Sequence, residues 1–221
     1  MKTNAHKLPV LRSGRVASRT LLHSNECLLL FFFALTLAAP LRAQNAAATT
    51  VPVAETTLTL APSQSKVHYI LDTTLHTVHG TFNLKSGTLH FDPQTGKASG
   101  EIVVLASSGD SGNGSRDARM HKEILETGKF SEAIFHPTQI EGTVNPSGSS
   151  DVKLRGILTL HGADHEVTAQ VHTTLTPDHF TATARFDIPY VSWGIKDPSN
   201  FLLKAKPVVN IDLELSGQLA H

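Results

Sequence analysis

Three observations predict an all-β fold. Apolar and polar residues alternate with a period of two over most of the chain, most clearly from Val167 to Leu175, Phe180 to Ile188 and Val209 to Leu215, as expected for strands with one buried and one wet face. The runs are separated by turn signals such as Asp92-Pro93-Gln94-Thr95-Gly96 and His161-Gly162-Ala163-Asp164 rather than by helical segments, so nothing suggests a parallel sheet. One stretch, Gly109 to Pro137, breaks the period.

Taken in order, the chain opens with a polar, basic segment, then the apolar run Cys27 to Ala39, then Leu41-Arg42-Ala43 before Gln44. The apolar run is shorter than the roughly 18 residues that a span requires. A basic start, a short apolar core and a small-residue cleavage site read as a secretory signal over residues 1–43, with an uncleaved anchor as the alternative. This places the mature chain in the periplasm or outside the cell, with no stable membrane span after cleavage. Residues 44–57, rich in Ala, Thr and Val, read as a flexible spacer.

The domain proper is expected over residues 58–219. Leu58 to Leu60 starts extended and Pro62-Ser63 interrupts it. Val67, Tyr69 and Leu71 alternate, as do Val78, Phe82 and Leu84. Lys85-Ser86-Gly87 reads as a turn, with Leu89 and Phe91 beyond it. Ile102 to Ala106 is a continuous apolar strand. Gly109 to Ser115 then forms a polar loop, and Arg116 to about Glu126 a short helix with Met120 and Ile124 on one face and Gly128 as its stop signal. Ile134 to Ile140 returns to strand, and Val152, Leu154, Leu158 and Leu160 share a face with Gly156 among them. Eight or nine strands with short connections fit either a sandwich or a closed barrel, and a barrel of about eight strands either fills its interior or holds one small ligand. Small residues at inward positions (Ala106, Gly156, Ala169, Ala182, Ala184) favour a cavity. A lone helix in such a chain is placed to cover an open end.

The whole chain carries 19 basic and 19 acidic residues, but residues 44–221 keep 13 and 18. A mildly acidic domain argues against a nucleic-acid partner, whose footprint is a basic face. Cys27 is the one cysteine, so the mature chain has neither disulfides nor a thiol nucleophile.

The order S-K-V-H-Y, G-T-F, G-T-L-H-F-D-P, S-R-D-A-R-M, A-I-F-H-P and L-R-G-I-L-T-L-H-G-A-D-H-E-V resembles the YceI-like family of secreted, lipocalin-like, polyisoprenoid-binding proteins, from about Leu58 to Leu219. The strongest parts are Arg116-Asp117 and the hairpin from Gly156 to Val167. The chain departs from the family pattern around Ser107 to Asp110, Glu126 to Ser131 and Pro189 to Ile195. The resemblance implies an extended antiparallel eight-stranded barrel with one short helix inserted near residues 116–127. It also implies non-enzymatic binding or transport of a long isoprenoid-type lipid, polyprenyl or quinone-like, in an apolar lumen. The lumen is then expected to hold Tyr69, Phe82, Leu84, Phe91 and Val104 from the first half of the domain. Leu154, Leu158, Val171, Phe186 and Leu213 are expected from the second. Met120 and Ile124 would line the mouth. Arg116 and Asp117 have two open roles, holding a head group or capping the helix, and Trp193 sits at the barrel end as mouth or plug. The lipid is the ligand; no cofactor is implied, and a homodimer is admitted.

Other chemistries are weaker. His76/His79 and His161/His165 have ligand-like spacings, yet no third and fourth ligands follow in a zinc pattern, so no metal is expected. There is no G-x-S-x-G elbow, and a solvated loop and helix face accounts for Asp110, Asp117, Glu123 and Glu126. No enzyme is expected. A lipid-acting hydrolase and a secreted stress or scaffold module with a filled barrel are the alternatives.

Overall fold

The computed structural model describes residues 55–220; the segment read as a signal and most of the spacer lie outside them. The chain forms nine strands: β1 (Thr56–Leu60), β2 (Lys66–Asp72), β3 (Thr77–Phe91), β4 (Ala98–Asp110), β5 (Glu132–Glu141), β6 (Gly148–Leu160), β7 (Ala163–Leu175), β8 (His179–Ile188) and β9 (Val209–Ala220). All pairings between named strands are antiparallel. The order β3-β2-β9-β8-β7-β6-β5-β4 closes on itself through β3–β4. The sandwich that periodicity alone leaves open is thereby excluded.

Nine strands make eight staves because one stave is split. β2 pairs with the first part of β3 and of β9, through Val67↔Phe82 and Val67↔Leu213. β1 pairs with the later part of the same two strands, through Leu58↔Leu89 and Leu58↔Leu219. Between them the 3-10 turn Pro62–Gln64 interrupts the ladder, where Pro62 has no amide hydrogen to contribute. Ser65 repairs the gap by donating its hydroxyl to the Ala61 carbonyl at 2.9 Å.

The Lys85-Ser86-Gly87 turn expected from sequence does not form; β3 runs through it. The register shifts between Leu84↔Val104 and Ser86↔Val103, a bulge that bends a long strand around the barrel. Lys85 points outward to Glu132 at 2.6 Å. Two other boundaries move slightly. β4 continues to Asp110, into the stretch read as loop, and β1 starts at Thr56, inside the stretch read as spacer.

The two barrel ends differ in their connections. At the lower end lie the short β3–β4, β5–β6 and β7–β8 links. At the upper end lie the β2–β3 turn, the long helical insertion between β4 and β5, the β6–β7 turn and the long β8–β9 connection. The β6–β7 turn is two residues, His161 (φ 53) and Gly162 (φ 79), the left-handed pair that matches strand twist in tight hairpins.

Candidate functional site: the barrel lumen and its upper mouth

Inward-facing residues build two apolar cavities along the barrel. The upper one has a volume of about 420 Å³ and the lower one about 120 Å³. Phe186 and Leu213 line both and so form their common wall. They lie on one face of neighbouring strands, with Phe186 opposite Ile211 and Leu213 opposite Ala184.

Of the residues expected in the lumen, Tyr69, Phe82, Val104 and Leu158 line the upper cavity, and Phe91, Leu154 and Val171 the lower. Leu84 lines neither. It packs in the core with Leu60, Leu175 and Phe180. Among the small residues, Ala106 borders the upper cavity and Ala169, Ala182 and Ala184 the lower. Gly156 opens no space, because the Phe135 ring lies where its side chain would be.

The upper end is closed in part by the insertion. Asn113 caps a short helix, α1 (Gly114–Arg119), by accepting the Arg116 amide hydrogen at 3.0 Å. A π-turn, Met120–Ile124, follows, and the helical path ends at Glu126, where φ is 45°, before the expected stop at Gly128. Met120 and Ile124 face the cavity together with Arg116 and Arg119. Asp117 does not reach the lining. It accepts hydrogen bonds from the Ser111 amide and hydroxyl. Arg116 donates to the Ser111 hydroxyl from Nε at 2.7 Å and to the Ser111 carbonyl from a terminal nitrogen at 3.0 Å. Arg116 and Asp117 therefore clamp the loop at the helix start, and Arg116 also borders the lumen.

The insertion is tied to the rest of the rim. Lys196 reaches Glu123 at 2.9 Å, and this hydrogen bond, with the lysine charge, holds the Glu123 carboxyl below its usual range. The Phe130 ring sits over Gly162 and 4.5 Å from the His161 ring. His161 Nε2 lies 3.0 Å from Glu126 but is not aligned for a hydrogen bond. Trp193 does not line the cavity. It stacks on His165 at 3.9 Å with the rings 2° from parallel, and packs, partly buried, against the upper core. Among the described residues, no cluster of three His, Cys, Asp or Glu side chains could hold a metal ion.

Polar side chains in the lining of the upper cavity are Thr73, His76, Arg116, Arg119 and Asn200; the lower cavity has Thr173, whose hydroxyl donates to the Thr181 carbonyl. Tyr69 is buried, its ring tilted against that of Phe82 at 5.3 Å, and burial pushes its phenol up. Tyr190 donates its hydroxyl to the Lys206 carbonyl at 2.9 Å, and burial pushes its pKa up to about 12. Sequence reasoning missed Arg119, Tyr190 and Ile195. The signal for Arg119 was its place three residues after Arg116 on one helix face. For Tyr190 and Ile195 it was apolar sequence continuing past the end of β8.

Asp117 gives a testable clamp. Its carboxyl is held below the usual range, chiefly by the Ser111 hydroxyl, with the Ser111 amide and Arg116 contributing. A depressed carboxyl stabilises the fold above the unfolded value of about 3.9 and loses that contribution as pH falls through the folded value. Asp117→Asn should therefore flatten the acid limb. Thermal melts across a pH series should show the parent Tm falling more steeply than the variant's below about pH 4, and parallel curves would refute the clamp.

A YceI-like domain is matched over residues 58–217. The fold is similar to a polyisoprenoid-binding domain from Saccharophagus degradans implicated in plant cell wall breakdown, with a TM-score of 0.58 and 16% identity, covering 74% of this chain and 98% of that one. It is also similar to BcnA of Burkholderia cenocepacia, with a TM-score of 0.60 and 17% identity, covering 72% and 99%. At such identities the likeness concerns the fold. In sequence the chain is similar to the UPF0312 protein of Shewanella oneidensis, 35% identical over 99 residues, and to that of Vibrio campbellii, 30% over 95. The chain spans about half the length of these curated relatives (49% and 48%). The matched domain takes in all of β2 to β8 and most of β1 and β9, and the chain belongs to the YceI-like family.

Proposed function

We propose that this barrel binds a long-chain isoprenoid-type lipid without transforming it, and carries it in the periplasm or outside the cell. The carrying observation is the sequence of spaces along the barrel: polar groups at the upper rim, a 420 Å³ apolar cavity beneath them, and a 120 Å³ apolar cavity beyond Phe186 and Leu213. An amphiphile has the same order of parts. Apolar cavities of roughly 150 Å³ stay dry and take up apolar guests, and each methylene buried adds roughly 0.8 kcal/mol. A tail can thus be held with few polar contacts. The polyisoprenoid binding of the Saccharophagus degradans domain supports the choice of tail. Ser111, Asp117 and Arg116 near the mouth serve the clamp: the Ser111 hydroxyl donates to Asp117, and Arg116 donates to the same hydroxyl oxygen.

The test is native mass spectrometry of the exported chain, purified without detergent, followed by organic extraction. A stoichiometric adduct built of isoprene units is the expected result. An apo mass that persists through titration with polyprenyl lipids of graded length would overturn the reading in favour of a scaffold.

A further inference from the structure

We infer that the upper rim docks on a phospholipid bilayer by inserting apolar loop tips into it. Among the described residues four large apolar side chains stand exposed: Leu75 (69%), Val191 (38%), Phe201 (94%) and Leu202 (77%). All four belong to the β2–β3 turn or the β8–β9 connection, at the upper end of the barrel. Scattered exposed apolar residues are ordinary on a protein surface; confinement to the rim of one cavity is not.

The two loops form a single ledge. The Thr74 amide donates to the Lys204 carbonyl at 2.9 Å, and the Lys204 amide to the Thr74 hydroxyl at 3.2 Å. Thr73 and Ala205 form an isolated antiparallel bridge. Asn200 holds the tip by accepting the Leu202 and Leu203 amides at 2.9 and 2.8 Å, which leaves Phe201 and Leu202 outward. Residues of the same loops, among them Thr73, Asn200, Leu203 and Ala205, line the upper cavity. One side of the ledge therefore faces the lumen and the other presents its apolar tips to the surroundings.

The occupant follows from chemistry, and this step rests on the lipid-binding reading. A long isoprenoid tail partitions into bilayers rather than water, so its donor or acceptor is a bilayer, and the loops that border the lumen are those that must meet it. Part of the charge at the ledge is spent within the protein: Lys206 pairs with Asp72 at 2.7 Å and Lys196 with Glu123 at 2.9 Å, while Lys204 forms no ion pair among the described residues. Docking is then apolar insertion at the headgroup boundary. It should proceed on neutral phosphatidylcholine and survive salt, which screens exposed charges but not apolar contact.

The experiment uses the exported chain, its Phe201→Trp variant and the triple variant Leu75→Ser/Phe201→Ser/Leu202→Ser. Sedimentation with phosphatidylcholine vesicles, with and without phosphatidylglycerol, is run in low and in molar salt. The expected result is salt-resistant binding to both vesicles, and binding weakened by roughly tenfold or more in the triple variant, which has lost most of the insertable area. The Phe201→Trp variant should show emission shifted to the blue and quenched by brominated lipid, beyond the signal of Trp193 in the parent. An unquenched Phe201→Trp signal overturns the inference. So does binding confined to anionic vesicles and lost in salt, or a solution dimer that the triple substitution dissociates. Tail binding is measured in parallel by native mass spectrometry. Docking lost with tail binding intact removes this inference alone. Docking intact without tail binding removes the carrier reading alone.

Discussion

In a chain carrying Leu213→Arg, the lipid adduct is expected to vanish from the native mass spectrum. Leu213 and Phe186 border both cavities, so any tail that reaches from one to the other passes them. A guanidinium there has two courses. Left unpaired in apolar surroundings it costs several kcal/mol; turned toward the mouth, it fills the upper cavity with a charged stem. Either course excludes a hydrocarbon tail, and an affinity loss of about a hundredfold or more is expected, equivalent to about 3 kcal/mol. Phe186→Asp should do the same. Phe186→Ala instead joins the cavities and should move the preference toward longer tails. Circular dichroism identifies the folded variants, and a folded Leu213→Arg chain with a full adduct would refute the placement of the tail.

Gly217→Val should loosen the lower half of the barrel more than any surface change. A side chain at Gly217 would strike the Thr59 carbonyl on β1 and the Phe180 ring. The carbonyl belongs to a paired strand, with Leu60 opposite Gly217, so β1 must move. Overpacking of this kind typically costs about 1–3 kcal/mol, and at about 2–4 °C per kcal/mol for a domain of this size, Tm should fall by roughly 2–12 °C. Hydrogen exchange localises the effect: amides of β1 should lose protection while those of the β6–β7 hairpin keep theirs. Uniform loss across the barrel would refute the local account.

Sequence carried the second half of the fold almost completely. The alternation in β7, β8 and β9 assigns Val171, Phe186 and Leu213 to the inner face, and the thirteen consecutive pairs of β6–β7 follow from a hairpin whose two strands have unbroken period-two patterns. The first half was harder because its irregularities are tertiary. Lys85-Ser86-Gly87 has turn composition, yet neighbouring strands convert it to a bulge. The split between β1 and β2 is signalled by Pro62, but its role as one broken stave appears only when both halves pair with the same two partners. Leu84 and Phe82 share the alternating pattern; one is core and the other cavity wall, because residues far off in sequence (Leu60, Leu175 and Phe180) fill the space beside Leu84. Small residues indicated hollowness but not its amount. The larger cavity borders Tyr69 and Phe82, whereas the alanines of β7 and β8 border the smaller one, which Phe91, Phe135 and Phe180 narrow.

The split stave also dictates the order in which the domain can be assembled. Both of its halves bind β3 and β9, so the first two strands to emerge during synthesis can pair with β3 at once but complete their ladders only when the last strand arrives. The hairpins from β3 to β8 can form on their own, and ring closure is left to pairings between the ends of the domain, the slowest class of contact to find. Until β9 arrives, the edges of β2 and β8 that it joins stand unpaired. A barrel of this topology has an interval, before closure, in which its interior is reached from the side rather than through the rim.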